Sequence, residues 1–273
     1  MTYQNGEITL SPYTLYWVQM PAIIGEADRI DLLKRDVFVI ECQYKVEEYE
    51  KLLEKKDDSS AFFFNLDKIL SSTTKQGEIE LAKKVAEFIS GFCPERSVIH
   101  TTTLDSTIKE IFQIEGLIYL EKNFNDKDGS VNLIMNLLKP LFSSENRIRR
   151  SDIRLLLYPN VRYKIEAIYE NGNKVIGGFL KDISLSGIGI ILNSENDIEH
   201  FSLKDQIMLR LITHNSILKI PMAIVSRKSP KVHEIGVSFT ITDTNMIREE
   251  TANFIVKNIY KWIKDVILTQ GKI

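Results

Sequence analysis

Cysteine is the first thing this 273-residue sequence has little of. It has two, Cys42 and Cys93, and four histidines. Two cysteines give no disulfide framework, and no His or Cys falls at a metal-ligand spacing with another. Long apolar runs are missing as well. The densest, around Ala61-Phe62-Phe63-Phe64, is far short of the roughly 20 residues a membrane helix needs. The start, Met1-Thr2-Tyr3-Gln4-Asn5-Gly6-Glu7, lacks the basic and apolar segments of a signal peptide, so a cytoplasmic location is expected. No phosphate loop, dinucleotide fingerprint or Gly-x-Ser-x-Gly elbow is present. His100 stands near Thr101 to Thr103 and Asp105, but closeness in sequence is not a triad. Nothing in the residues argues for an enzyme.

The composition, 44% hydrophobic and 26% charged, is that of a folded globular protein. The formal charge is -2, yet it is unevenly spread. Residues 1–145 carry 16 Lys/Arg against 24 Asp/Glu, and residues 146–273 carry 19 against 13. Such a split suggests two domains with separate jobs, the basic one meeting an anion.

The first half mixes signals. Strand-like runs lie at 36–44, 61–66 and 116–121. Helical patterns lie at 46–56, at Ile79 to Ile89 with Gly91 as a C-cap, at 105–113 and at 130–141. This predicts an α+β domain over 1–142. Ser143-Ser144-Glu145-Asn146 is turn-prone and opens a linker over 143–154. In the second half, 155–273, Val161 to Glu170 alternates, and Asn171-Gly172 is a strong hairpin signal. Strand-like runs follow at 174–182, 187–192, 206–212, 217–227 and 233–240. Six short strands separated by turns suggest a small antiparallel barrel or sandwich. A stripe from Ile247 to Val266 predicts a terminal helix packed on it.

Two short motifs carry the chemistry. Arg147, Arg149, Arg150 and Arg154 gather directly after the turn. Guanidinium grips phosphate bidentately, stacks on flat rings and matches the O6/N7 edge of guanine. Asp182-Ile183-Ser184-Leu185-Ser186-Gly187 lies where one strand ends and the next begins. Asp182 offers acceptors for guanine N1 and N2 donors. Ser184 can bond a phosphate or brace the turn, and Gly187 allows a positive φ or a close ligand approach.

Arg-x-x-x-Arg at 150–154, a strand, then Asp-x-Ser-x-x-Gly at 182–187 resembles the PilZ domain, the receptor module for cyclic di-GMP. The resemblance covers about 145–268. It implies a six-stranded antiparallel barrel with a C-terminal helix, and a ligand rather than a cofactor. Carried residue by residue, it implies that Arg150 and Arg154 grip cyclic di-GMP from the linker while Asp182, Ser184 and Gly187 hold it from the barrel. Arg149 is a further ligand residue; in this family an Arg there accompanies two stacked nucleotides. Arg147 is either a helper or solvated linker. The whole chain resembles the two-domain PlzA-type receptors, whose first domain is related to PilZ, but residues 1–145 carry no second motif pair. The expected function is a nucleotide receptor whose ligand changes the interdomain arrangement and the binding of a downstream protein. Two other classes stand beside it: a nucleic-acid binder using the basic half, and a nucleotide-independent scaffold.

Overall fold

The computed structural model describes residues 13–42, 60–71, 73–92, 94–102, 105–121, 127–141, 154–157, 162–169, 174–214, 216–239 and 244–260. The expected helix 46–56, the Asn171-Gly172 turn and Cys93 lie outside them. The chain divides into two compact units, built on Pro12–Arg149 and Arg150–Ile263.

The first unit is a parallel sheet. Its strands are β1 (Tyr13–Val18), β2 (Val37–Cys42), β3 (Ser60–Asn65), β4 (Ser97–Thr101) and β5 (Ile118–Glu121), in the order β2-β1-β3-β4-β5. Every pairing is parallel. Strands covered on both faces need not alternate, which is why Tyr13-Thr14-Leu15-Tyr16-Trp17-Val18 and Ser60-Ala61-Phe62-Phe63-Phe64-Asn65 are so apolar. The helices are α1 (Glu26–Lys34), α2 (Leu66–Leu70), α3 (Lys75–Phe92), α4 (Ser106–Ile111) and α5 (Lys127–Leu141). Leu15, Trp17, Val39 and Phe63 pack with Leu32 of α1 and with Ile134 and Leu138 of α5. On the other face Tyr16 stacks on Phe62, and Phe64 meets Phe88 of α3 edge to face.

A first domain related to PilZ would be antiparallel, and this one is not. Crossover connections return each strand in the same direction as the last. Gly91 is also not a cap, because α3 runs on to Phe92. Doubly wound sheets of this order hold ligands at the carboxyl ends of the strands, between β1 and β3. Here that end spends its polar groups on itself. Asp67 accepts from Thr101 Oγ1 at 2.7 Å, from Thr102 N at 2.8 Å and from Thr102 Oγ1 at 2.7 Å. Lys68 Nζ donates to the Met20 carbonyl at 3.1 Å, and the Asp28 carboxylate takes the Gly25 N–H at 2.8 Å. Phe63 is fully buried with its ring 5.1 Å from Trp17. Phe63→Ala is expected to cost this unit about 4 kcal/mol, measured by urea unfolding from Trp17 fluorescence in a Trp262→Phe background.

The second unit is a closed antiparallel barrel. Its strands are β6 (Leu155–Leu156), β7 (Lys164–Tyr169), β8 (Lys174–Ile183), β9 (Gly187–Leu192), β10 (Gln206–Ile212), β11 (Ile217–Ser229) and β12 (Glu234–Phe239). Six of them run β8-β7-β10-β11-β12-β9, and β9 closes on β8. The six-stranded barrel expected from the sequence is therefore present, and the two-residue β6 is an addition. Ile165, Ala167, Leu180, Ile190, Leu209, Ile220 and Val237 are among its buried apolar side chains. The terminal helix α6 (Thr244–Phe254) continues as a π-helical turn over Ile255–Ile259. It is fastened to the barrel through Asn258. The Asn258 carbonyl accepts from Tyr163 OH at 3.0 Å, and its side-chain oxygen accepts from Ser216 Oγ at 3.1 Å.

Candidate functional site

Local pairing explains how the motif residues meet. Strand β8 is long enough to pair with β7 along its first part and with β6 at its end, where Leu155 faces Ile183 and Leu156 faces Asp182. That pairing sets Arg154, the residue before β6, beside Asp182. Arg154 Nε lies 3.6 Å from Asp182 Oδ1.

On its other side β8 pairs with β9 through a bulge between Leu180 and Asp182. The extra residue, Lys181, breaks the alternation. Leu180 and Ile183 both stay in the core, while Asp182 turns its carboxylate onto the outer face of β9, opposite Gly189. A Cβ on Gly189 would lie 2.7 Å from Asp182 Oδ2, so the carboxylate occupies the space that a side chain would need.

Asp182 is only 4% exposed. Its Oδ1 has no hydrogen-bond partner among the described residues. The contact with Arg154 is an ion pair without hydrogen-bond geometry. Burial pushes the Asp182 carboxyl above its usual range, and nearby Glu234 adds to this. The cations Arg154, Lys181 and Arg227 pull the other way and do not win.

The turn after β8 is internally braced. Ser184 donates its N–H to the Gly187 carbonyl at 2.8 Å and its Oγ–H to the same oxygen at 3.1 Å. Of the two roles open to Ser184, bracing is the one made here. Gly187 is required for a reason the sequence did not give. Its φ is not positive; instead the Val237 carbonyl of β12 comes within 2.4 Å of where a Cβ would stand. The structure thus brings Arg154, Asp182, Ser184 and Gly187 together. Arg147, Arg149 and Arg150 lie outside the described residues. In the first unit Asp105 is a helix cap for α4, accepting from Thr107 N at 2.9 Å.

Five residues around the motif are not marked by its spacing: Lys181, Gly189, Arg227, Glu234 and Gly236. Gly189 and Gly236 are direct partners on β9 and β12, and Gly236 faces Arg227 on β11. Glu234, 3% exposed, is ion-paired with both Lys181 and Arg227. Glycines inside strands were the one available signal, since they mark close approaches.

Residues 148–256 match the family model of the PilZ domain. Solved structures are similar in part. The PilZ domain of YcgR from Escherichia coli, solved with c-di-GMP, is 13% identical, covering 43% of this chain and 97% of its own, with a TM-score of 0.37. The PilZ domain of CeSA from a cellulose-synthesizing bacterium is 17% identical, covering 36% and 93%, with a TM-score of 0.28. The K. pneumonia MrkH–c-di-GMP complex is 18% identical, covering 44% and 54%, with a TM-score of 0.33. No curated protein matches the chain. Among the described residues no helix is long and apolar enough to cross a membrane, and no group of three His, Cys, Asp or Glu side chains is placed to hold a metal.

Proposed function

We propose that this protein is a cyclic di-GMP receptor, with the nucleotide clamped between the Arg150-x-x-x-Arg154 segment and the Asp182-x-Ser184-x-x-Gly187 turn of its PilZ domain. The observation that carries this is the Asp182 carboxylate. Burying a carboxylate oxygen without a hydrogen bond is costly, and a fold gains nothing from it unless a donor arrives. Guanine N1–H and N2–H are such donors, and Arg154 stands beside them to meet phosphate or base. Arg149 extends the clamp and allows a second, stacked nucleotide. The Arg segment lies between the two halves of the sequence, at residues 143–154. Ordering it around a ligand shifts the population of arrangements of the halves and with it the surface offered to a downstream protein.

Calorimetric titration with cyclic di-GMP tests the reading on wild type, Arg150→Ala and Asp182→Ala. Wild type is expected to bind. Each variant is expected to bind about 100-fold more weakly, since each loses a charge-assisted hydrogen bond. A wild type that takes up no nucleotide refutes the function. An Arg150→Ala protein with wild-type affinity refutes that residue's assignment. Solution scattering with and without saturating nucleotide tests the rearrangement, which superimposable profiles would exclude.

A further inference from the structure

One side-chain cluster on the PilZ barrel is left unused by the motif. Strands β8, β9, β12 and β11 carry Asp182, Gly189, Gly236 and Arg227 as successive register partners in one cross-strand row. The Asp182 carboxylate lies against Gly189 on the outer face. Arg227 lies in the same way against Gly236, where an added Cβ would be 3.1 Å from Arg227 Cβ and 3.3 Å from its Nε. Both glycines are buried by these side chains. The carboxylate and the guanidinium therefore cover adjacent strands, about 4.8 Å apart.

Arg227 is also held in place. One of its terminal nitrogens, Nη2, pairs with the buried Glu234, whose other oxygen is taken by Lys181 reaching across β9. The Arg227 side chain remains 51% exposed. A guanidinium has five N–H donors, so the anchored group keeps free donors on its open side. Lys181 supplies the second cation that a buried carboxylate needs and leaves Arg227 only partly neutralised.

We infer that Arg227, oriented by Glu234, is a specificity-determining residue of the nucleotide site. It donates to the O6 of the guanine whose N1–H and N2–H are accepted by Asp182. An acceptor and a donor side by side match the guanine edge. They oppose adenine, which presents an N6 amino donor where guanine has O6. This rests on the cyclic di-GMP reading and adds to it a fixed Arg from the barrel wall.

The test is calorimetric titration of wild type, Arg227→Ala and Arg227→Lys with cyclic di-GMP and with the analogue in which both guanines are 6-thioguanine, which keeps N1–H and N2–H for Asp182 and replaces O6 by a weakly accepting sulfur. Wild type is expected to bind the analogue at least tenfold more weakly than cyclic di-GMP. Arg227→Ala is expected to lose about 10- to 100-fold for cyclic di-GMP and to bind the two ligands alike. Arg227→Lys keeps the charge and the Glu234 ion pair but not the fork. It is expected to melt as wild type and to lose about tenfold, so it carries the test should the alanine variant fail to fold. Arg227 variants within twofold of wild type for cyclic di-GMP would overturn the inference, as would an equal loss on both ligands. A wild type that binds neither ligand would refute the receptor reading instead.

Discussion

Gly187→Ala is expected to cost the barrel about 3 kcal/mol and to lower its melting temperature by about 10 °C. A methyl at Gly187 would lie 2.4 Å from the Val237 carbonyl oxygen. That atom is backbone and is held by the β9–β12 ladder, in which Ser238 faces Gly187 and Val237 faces Ile188. A flexible side chain could swing aside, but a paired carbonyl cannot. The strand must separate, and the Ser184 bonds to the Gly187 carbonyl go with it. Nucleotide binding is expected to disappear in the same variant. Gly91→Ala is the control. An added Cβ there meets nothing within 4 Å, and alanine is the better helix former by about 1 kcal/mol, so α3 is expected to hold or gain. Differential scanning calorimetry of both variants decides the matter. A Gly187→Ala protein melting with wild type would show that the seam can relax around a methyl.

Asp182→Asn is expected to separate stability from binding. The carboxyl is pushed above its usual range chiefly by burial. A raised folded-state value means that the fold disfavours the ionised form. The group's contribution to stability is full below the unfolded value, near 4, and is lost as pH rises through the folded value. At pH 7, above the unfolded value, burial of this carboxyl therefore weakens the fold, and a neutral amide of the same shape removes the penalty. The melting temperature of Asp182→Asn is expected to exceed that of wild type at pH 7, by about 4 °C for each kcal/mol recovered. The gap should close as the solution is acidified below the ordinary carboxylate range. Affinity for cyclic di-GMP is expected to move the opposite way. It falls about 100-fold in Asp182→Asn at pH 7. In wild type it weakens on acidification from a pH above the usual carboxylate range, because only the ionised group accepts from both N1–H and N2–H. Melting curves and titrations over a pH series check both halves. A variant that melts below wild type at neutral pH would mean that the Arg154 ion pair outweighs the burial cost.

The barrel could be read in the sequence because antiparallel strands announce themselves. Alternation in 164–169, the Asp-x-Ser-x-x-Gly turn and the run of short strands are local signals, and β9 and β10 occupy the residues expected. The first unit could not be read so well. Its strands are covered on both faces, so Phe62, Phe63 and Phe64 form an unbroken run with no period to identify a partner. Its pairing direction is fixed by the crossovers and not by any strand. The same limit applied to the site. Asp182 and Ser184 stand in one short motif. Arg227 and Glu234 reach it only through the register of β12 with β9 and β11, which no spacing encodes. Glycine is needed at Gly187 because of a carbonyl 50 residues further along the chain and not because of a turn dihedral.

That long-range partner has a consequence for how the protein is made. Strand β9 is an outer surface without a neighbour on one side until β12 pairs with it. The Arg227 anchor, Glu234, is the first residue of that same strand. A ribosome must therefore have delivered the chain to Phe239 before Asp182, Gly189 and Arg227 can share a row. The row is completed late in synthesis, together with closure of the barrel. A nascent chain released earlier would carry the Arg segment and the Asp-x-Ser-x-x-Gly turn without the Arg227 and Glu234 pair that the closed barrel sets beside them.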